Sequence, residues 1–251
     1  MTHRVLVVVA TAALLSGCGP AHKKPSRADR KPATELYQEA EQYMTKRHYN
    51  KAIRRYQKID TVKNPELRAQ VHLRMADAYF AQGHVLALIE AQARYQSFLN
   101  FFPLSDQAPY AQYQYAVCLQ KQINPPERDQ TPTRRAIAEF QKVGQLYPNS
   151  SWVLEAKTRI AELDDRLTED SLLKARFYYS RKGYPSAIAR LREILKHQPD
   201  FSRKDETLFF LGMSLRKGGN EPEAEQVFQQ LVDEAPESKF AKKAAHLLQH
   251  R

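Results

Sequence analysis

Histidines and paired acidic residues are the side chains that could hold a metal ion or transfer protons. The eight histidines are scattered, and only His246 and His250 stand four positions apart, where a helix would place them on one face. No cysteine or carboxylate accompanies that pair, so a zinc site is not indicated. Asp164 and Asp165 are adjacent and diverge on a helix, so they are expected on a solvated face and not as a catalytic pair. The sequence predicts no catalytic residue, no metal and no cofactor.

Cys18 is the one residue whose surroundings point to a defined reaction. An apolar run of eleven residues, Val5 to Leu15, follows His3 and Arg4. That run is too short to cross a bilayer, which needs ~20 helical residues, and is typical of a secretory signal. It ends in Leu15-Ser16-Gly17-Cys18, which resembles a bacterial lipobox. We therefore predict cleavage after residue 17 and attachment of diacylglycerol, with palmitate-like acyl chains, to the Cys18 thiol; the alternative is a plain signal with an incidental cysteine.

The residues after Cys18 indicate the membrane to which the protein is sorted and a tether between the lipid and the repeats. Gly19 stands where a retention aspartate would keep a lipoprotein in the inner membrane, so resemblance to sorted lipoproteins implies the periplasmic face of the outer membrane. Residues 18–33 form a basic, proline-rich segment without an apolar period. Its cations could contact anionic lipid, with a solvated spacer as the alternative. They are Lys23, Lys24, Arg27, Arg30 and Lys31.

A recurring frame organises the rest of the chain. It consists of an alanine, a bulky apolar residue four later, an aliphatic residue (Phe98 in the second copy) three after that, and then a proline. The first copy has its proline, Pro65, one residue late. Copies begin at Ala52, Ala91, Ala136, Ala187 and Ala224. Offsets of four and three share one helix face, alanine permits close helix approach, and proline stops a helix. The frame predicts an all-α tetratricopeptide-repeat superhelix of five helix pairs plus a C-terminal capping helix; the alternative is a set of unrelated amphipathic helices.

The boundaries follow from this frame. The repeat domain covers 34–251, with Thr34 as its first helix cap. Repeats are expected at about 34–65, 66–104, 109–149, 151–200 and 202–236, and Ser238 is expected to start a cap at 238–250. An insert at 123–133 contains three prolines, so the helix should resume at Arg134. Residues 152–182 lack Gly and Pro, which predicts one long helix of roughly 45 Å, or two helices with a break near Thr168.

Composition limits the partners. The chain has 39 Lys and Arg against 28 Asp and Glu, a formal net charge of +11. That charge alone would permit nucleic acid, but a secretory signal argues against it. Once Cys18 is acylated only Cys118 remains, which excludes an intramolecular disulfide and suggests a small buried apolar side chain.

Three motifs add a family resemblance. They are Asp129-Gln130-Thr131-Pro132, Tyr147-Pro148-Asn149-Ser150, and the run Ala175-Arg176-Phe177-Tyr178-Tyr179-Ser180-Arg181-Lys182-Gly183. With the lipobox, the basic spacer and five irregular repeats, the chain resembles the BamD (YfiO) family of outer-membrane assembly lipoproteins over essentially its whole mature length. It departs at 63–68, which reads Lys-Asn-Pro-Glu-Leu-Arg where that family often has an aromatic Tyr-Pro-Phe-Gly-Pro-Tyr element.

The resemblance implies a non-catalytic scaffold of the β-barrel assembly machinery. Its amino-terminal repeats would meet unfolded outer-membrane β-barrel proteins, and repeats four and five would dock the last POTRA domain of BamA, beside other Bam lipoproteins. Arg190 matches a family arginine at that interface; an ordinary exposed arginine is the alternative. Groove aromatics are the other expected partner contacts: Tyr37, Tyr79, Tyr110 and Tyr113. Alternatives are a lipoprotein for pilus or secretin assembly, an envelope organiser resembling YbgF, and a cell-wall enzyme or its partner.

Overall fold

The computed structural model describes residues 31–59 and 64–249. The predicted signal, Cys18 and the tether as far as residue 30 lie outside these ranges. Within them the chain forms eleven helices. They are α1 Ala33–Thr45, α2 Tyr49–Ile59, α3 Pro65–Gln82, α4 Val85–Phe101, α5 Ala108–Gln120, α6 Thr131–Leu146, α7 Trp152–Ser180, α8 Tyr184–His197, α9 Lys204–Lys217, α10 Glu221–Glu234 and α11 Lys239–Gln249.

Each helix packs on its neighbours in chain order, so that α1/α2, α3/α4, α5/α6, α7/α8 and α9/α10 are five helical hairpins. The last helix, α11, packs against both α10 and α9. The predicted all-α tetratricopeptide-repeat architecture, with its capping helix, is confirmed.

The recurring frame forms the core. Its five alanines have no solvent exposure. The bulky residue four positions after each alanine is equally buried: Tyr56, Tyr95, Phe140, Leu191 and Phe228. Each alanine methyl is therefore fully enclosed, and so is the large side chain one helical turn further on, as in a close-packed core. Cys118, predicted to be a buried apolar side chain, is also fully buried.

Proline ends most repeats in the expected way, but not the first. Pro103, Pro148, Pro199 and Pro236 each follow the residue that caps the C-terminus of a second helix. Pro65 instead begins α3, where Asn64 Oδ1 accepts bonds from the backbone of Glu66 and Leu67 at 3.0 and 3.2 Å. A proline suits this first position because the backbone N–H it lacks has no partner within the helix.

Two other helix starts differ from expectation by a few residues. α1 begins at Ala33 after Pro32, so Thr34 is not its cap. α6 begins at Thr131 and not at Arg134, because a proline is tolerated in the first turn. Asp129 Oδ1 accepts bonds from the Thr131 backbone N–H and hydroxyl at 3.0 and 2.8 Å, and these contacts fix the start.

The long helix α7 is continuous over 29 residues, about 43 Å at 1.5 Å per residue. The alternative of a break near Thr168 is wrong. The hydroxyl groups of Thr168 and Ser171 donate to the carbonyls of Asp164 and Leu167 at 2.9 and 3.3 Å. The polar groups that made a break conceivable are therefore satisfied inside their own helix.

The acidic pair on α7 is structural. Asp165 accepts bonds from the backbone N–H and hydroxyl of Ser202 at 2.9 and 2.6 Å, which ties α7 to the loop before α9. Asp164 is half-buried, and burial raises the pKa of its carboxyl group. The expectation of a solvated face was wrong, because the α7 residues that face the next repeat cannot be separated by sequence from those that face water.

Gly212 and Gly144 should respond oppositely to alanine. A Cβ on Gly212 would lie 2.5 Å from the ring of Phe228, which is fully buried and has no room to retreat. We expect Gly212→Ala to lower the free energy of unfolding by about 1–3 kcal/mol net. The higher helix propensity of alanine, about 1 kcal/mol in the opposite direction, is already included in that figure. A Cβ on Gly144 meets only Val153 at 3.9 Å. Gly144→Ala should therefore stabilise by up to about 1 kcal/mol, and urea unfolding of both variants tests the pair.

Candidate partner-binding surfaces

A network of charged side chains and tyrosines joins the first three repeats. Arg74, in the middle of α3, makes a fork to Glu41 of α1, with Nε–Oε1 at 2.9 Å and Nη2–Oε2 at 2.7 Å. Its Nη1 donates to Asp77 Oδ2 at 3.1 Å. The other Asp77 oxygen accepts from the hydroxyls of Tyr95 and Tyr110 at 2.7 and 2.9 Å. One guanidinium and two carboxylates thus link α1, α3, α4 and α5.

The pKa values follow from this geometry. Burial would raise the pKa of Glu41, but bonds from Arg74 and from the Tyr56 hydroxyl outweigh it and hold the pKa below its usual value. Burial first, then the charge of Asp77, raises the pKa values of Tyr95 and Tyr110. Tyr95 and Tyr110 therefore stay neutral donors at neutral pH, and Glu41 stays a charged acceptor.

A cleft of about 760 Å³ opens beside this network, between α3, the end of α4 and the loop 102–107. Tyr37, Leu73 and Phe98 contribute to its walls, and Arg74 places its charge there. Its outer rim carries two exposed apolar side chains, Leu104 (96% exposed) and Phe101, beside polar residues of the loop 102–107. The volume lies in the range of ordinary ligand sites. An apolar cleft with one fixed cation can take aromatic or aliphatic side chains of an extended peptide.

Tyr37 and Tyr79 reach the surface as half-buried side chains. The Tyr37 ring packs edge-on against Tyr56, with centroids 5.8 Å apart, and lines the cleft. The Tyr79 ring lies under the guanidinium of Arg94, with 4.8 Å from Cζ to the centroid. Tyr37 is thus the predicted residue best placed to contact a partner, while one face of Tyr79 is already occupied.

Tyr110 and Tyr113 serve the fold. The half-buried Tyr110 gives its hydroxyl to Asp77 and its ring to Trp152, with centroids 5.2 Å apart. Tyr113 is only 6% exposed, and its ring packs on Phe140 and Trp152 at 5.5 and 4.8 Å. The prediction of a partner contact at Tyr113 needs correction, because the next repeat covers that ring.

Sequence reasoning missed the residues that define the cleft. Arg74 and Asp77 look like an ordinary i, i+3 surface pair, and nothing in their spacing indicates that Glu41 lies opposite. Phe101 and Leu104 did carry a signal, since both fall outside the apolar frame at the end of α4. Large apolar residues off the core stripe are candidates for contact surfaces.

Repeat four presents a second, smaller cleft of about 340 Å³ between α7 and α8. Arg190 is half-buried on its wall, and its guanidinium lies over the ring of Tyr178 with Cζ 5.1 Å from the centroid. Asp164 and Glu193 also line this cleft. Within the described ranges Arg190 makes no ion pair. The guanidinium of Arg190 is therefore oriented by stacking on Tyr178, and its N–H groups remain available to donate to a partner.

Ion pairs join α7 to α9 in repeats four and five. Arg203 pairs with Glu169 and Glu206, both at 2.6 Å, and Arg176 pairs with Glu206 at 3.0 Å. Glu206 is nearly fully buried, so these bonds fasten α9 to α7.

No helix in the described part of the chain is long and apolar enough to cross a membrane. The same residues contain no cluster of three or more metal-ligating side chains.

Comparison with known proteins gives three kinds of match. The profile of the family YfiO, described as outer membrane lipoprotein, matches residues 29–227. Proteins named outer membrane protein assembly factor BamD are similar over most of their length: that of Haemophilus influenzae is 28% identical over 94% of this chain and 92% of its own. That of Caulobacter vibrioides is 26% identical over 82% and 67%, respectively. Among solved structures, the TPR2AB domain of yeast Sti1 matches with a TM-score of 0.49 and 15% identity, covering 86% of this chain and 83% of that one.

Proposed function

The chain belongs to the YfiO family of outer membrane lipoproteins, and from that membership we propose that it is a non-catalytic scaffold of β-barrel assembly in the outer membrane. The relatives named as assembly factors support this proposal across the length of the chain. The observation that carries it is the aromatic cleft beside the fixed Arg74, because it offers a binding surface without catalytic groups. In this proposal repeats one to three hold unfolded barrel proteins, and repeats four and five hold BamA.

The amino-terminal cleft suits the terminal strand of a nascent barrel, which is rich in aromatic residues. Aromatic side chains would lie against Phe101, Leu104 and Tyr37. Three of the five N–H groups of Arg74 bond Glu41 and Asp77, which leaves two for a backbone carbonyl or carboxylate of the bound segment. The ion pairs hold that guanidinium in place before the client arrives, so little ordering entropy is lost on binding.

A peptide matching a barrel's terminal strand should therefore bind, and Phe101→Ala/Leu104→Ala should weaken binding by about 1–3 kcal/mol, since both side chains are exposed and free to be covered. Fluorescence anisotropy of the labelled peptide measures this loss. Val85→Ala/Leu86→Ala is the matched control, because it removes equally exposed apolar groups at the other end of α4. Equal losses in both variants would mean non-specific adhesion, and no loss in either would exclude the cleft.

Anchoring rests on Cys18, which we propose is acylated after cleavage at residue 17 and holds the chain on the periplasmic face of the outer membrane. Two or more acyl chains are needed for stable attachment. Cys18→Ala should abolish the mass increase of acylation and leave the protein uncleaved or absent from outer-membrane fractions. An unchanged mass and unchanged flotation of the variant would remove the lipoprotein proposal.

The partner proposal is tested by purifying the protein from detergent-solubilised envelopes. BamA and other Bam lipoproteins are the expected companions. A secretin in their place would indicate a pilus or secretin assembly factor, and release of muropeptides by the purified protein would contradict a non-catalytic role.

A further inference from the structure

The hairpin topology gives the array two different edges. Because consecutive helices run in opposite directions, the turns inside repeats one and two lie at one edge, and the loops after α2 and α4 lie at the other. We call the first the turn edge; it comprises residues 46–54 and 85–89. The helices α2 and α4 both begin there, so exposed residues in their first turns face the same side of the molecule.

The turn edge is basic in repeat one. Residues 42–59 include six Lys and Arg and no Asp or Glu. Arg55 pairs with Glu39 at 2.6 Å. Lys46, Arg47, Lys51 and Arg54 are exposed, and none of them has an ion-pair partner among the described residues. The fold leaves four positive charges unneutralised where α1 turns into α2.

The turn edge is apolar in repeat two. Val85, Leu86 and Ile89 are 66%, 73% and 47% exposed, while the same helix faces its core with Ala87, Leu88 and Ala91. The first turns of α4 thus carry large apolar side chains on both faces. The opposite edge of this repeat differs, because the loop 102–107 contains Asp106 and no Lys or Arg.

We propose that the turn edge docks on the anionic surface of the membrane that holds the chain, with the cations of repeat one at lipid phosphates and Val85 and Leu86 at the acyl boundary. Cations beside exposed aliphatic groups are the combination that interfacial binding requires. An acidic protein would match the charges but would leave the leucine and valine unexplained. The proposal rests on the Cys18 anchor in one respect, the identity of the membrane.

The chain length permits this arrangement. Cys18 and Ala33 are fifteen positions apart, and a fully extended chain of that length reaches about 50 Å. α1 has 13 residues and spans roughly 20 Å between the two edges. The tether joins α1 at its N-terminus, which lies at the edge opposite the turn edge. Its full extension exceeds the length of α1, so the lipid on Cys18 can enter a bilayer that lies against the turn edge.

The test uses the full acylated chain in vesicles, with an environment-sensitive dye on Leu86→Cys or, as the matched control, on Leu104→Cys at the opposite edge. Native Cys118 is fully buried, and burial raises the pKa of its thiol to about 12, so it will not compete for the dye. In vesicles of phosphatidylcholine with phosphatidylglycerol, emission should shift to shorter wavelength at position 86 and stay unchanged at position 104. In pure phosphatidylcholine neither position should shift.

Charge reversal completes the test. Lys51→Glu/Arg54→Glu should lower the docked-to-free ratio at position 86 roughly 30-fold or more, because two favourable charges are lost and reversed. Lys242→Glu/Lys243→Glu on α11 should leave it unchanged, and equal thermal midpoints establish that both variants fold. A shift at 104, a shift without anionic lipid, or one that appears only when a protein partner is added would overturn the proposal. Failure of the anchor itself is separate, since the protein would then not float with any vesicle.

Discussion

Asp77→Ala should lower the free energy of unfolding by about 3–5 kcal/mol, a large fraction of the stability of an ordinary domain. Its carboxylate is almost fully covered, and the substitution removes the acceptor for the hydroxyls of Tyr95 and Tyr110 and one partner of Arg74. Each buried donor left without an acceptor costs about 1–3 kcal/mol. The loss therefore comes from groups that remain behind, not from the aspartate alone.

Asp77→Asn is the matched control, since it keeps one oxygen for the two tyrosines and loses the charge and the acceptor for Arg74. It should retain more of the stability than Asp77→Ala, and urea unfolding separates the two variants. Because repeat stability is carried by neighbouring interfaces, hydrogen exchange in Asp77→Ala should quicken in α1 to α5 and stay unchanged in α9 and α10. If Asp77→Ala changed the exchange rates of the two regions by the same factor, the network would not couple the first three repeats.

The same network predicts loss of stability in acid. The folded pKa of Glu41 lies below its ordinary value of 4.5, so the unfolded chain binds its proton first as the pH falls. The contribution of Glu41 is complete above pH 4.5 and disappears as the pH falls through the folded value. Glu41→Gln should flatten this part of the stability curve, as measured by urea midpoints between neutral pH and pH 3.

Periodicity made the helices of this chain predictable, because each helix pair must bury an apolar stripe and, in four repeats, a proline follows the end of the second helix. The buried Ala187 follows from that rule. The sequence left open whether residues 152–182 form one helix or two, and the structure shows the single helix α7. The start of α6 did not, since a proline at position 132 can either end a loop or open a helix, and the contacts of Asp129 decide between them. Helix existence is a property of spacing, whereas a helix end depends on one or two hydrogen bonds.

The clefts were harder to predict because their residues meet across repeats. Glu41 and Arg74 are 33 positions apart and each resembles a solvated charge. Tyr110 and Tyr113 share a helix face, yet the next helix covers one ring more than the other. Depth within a solenoid depends on the twist between repeats, which the sequence of a single helix does not encode.

Arg190→Glu should weaken binding to the isolated last POTRA domain of BamA by about 2–5 kcal/mol if the proposed docking face is correct. Stacking on Tyr178 holds the guanidinium beside the cleft, where it can offer paired N–H groups to a partner carboxylate. Glutamate at this position places one negative charge beside the nearby Glu193 and against the carboxylate of the partner. The affinity should therefore fall through repulsion as well as through the lost bond.

Two further variants separate docking from folding. Arg190→Lys keeps the charge and removes the planar fork, so it should lose part of the affinity. Lys196→Glu reverses an exposed charge on the same helix away from the cleft and should leave the affinity unchanged. Calorimetric affinity is to be measured beside the thermal midpoint, which Arg190→Glu should lower only slightly because the stacking contributes about 0.5–1 kcal/mol at an exposed site. An unchanged affinity at an unchanged thermal midpoint would mean that Arg190 is an ordinary surface residue with no role in docking. A large fall in the midpoint would mean that it is a structural residue of repeat four.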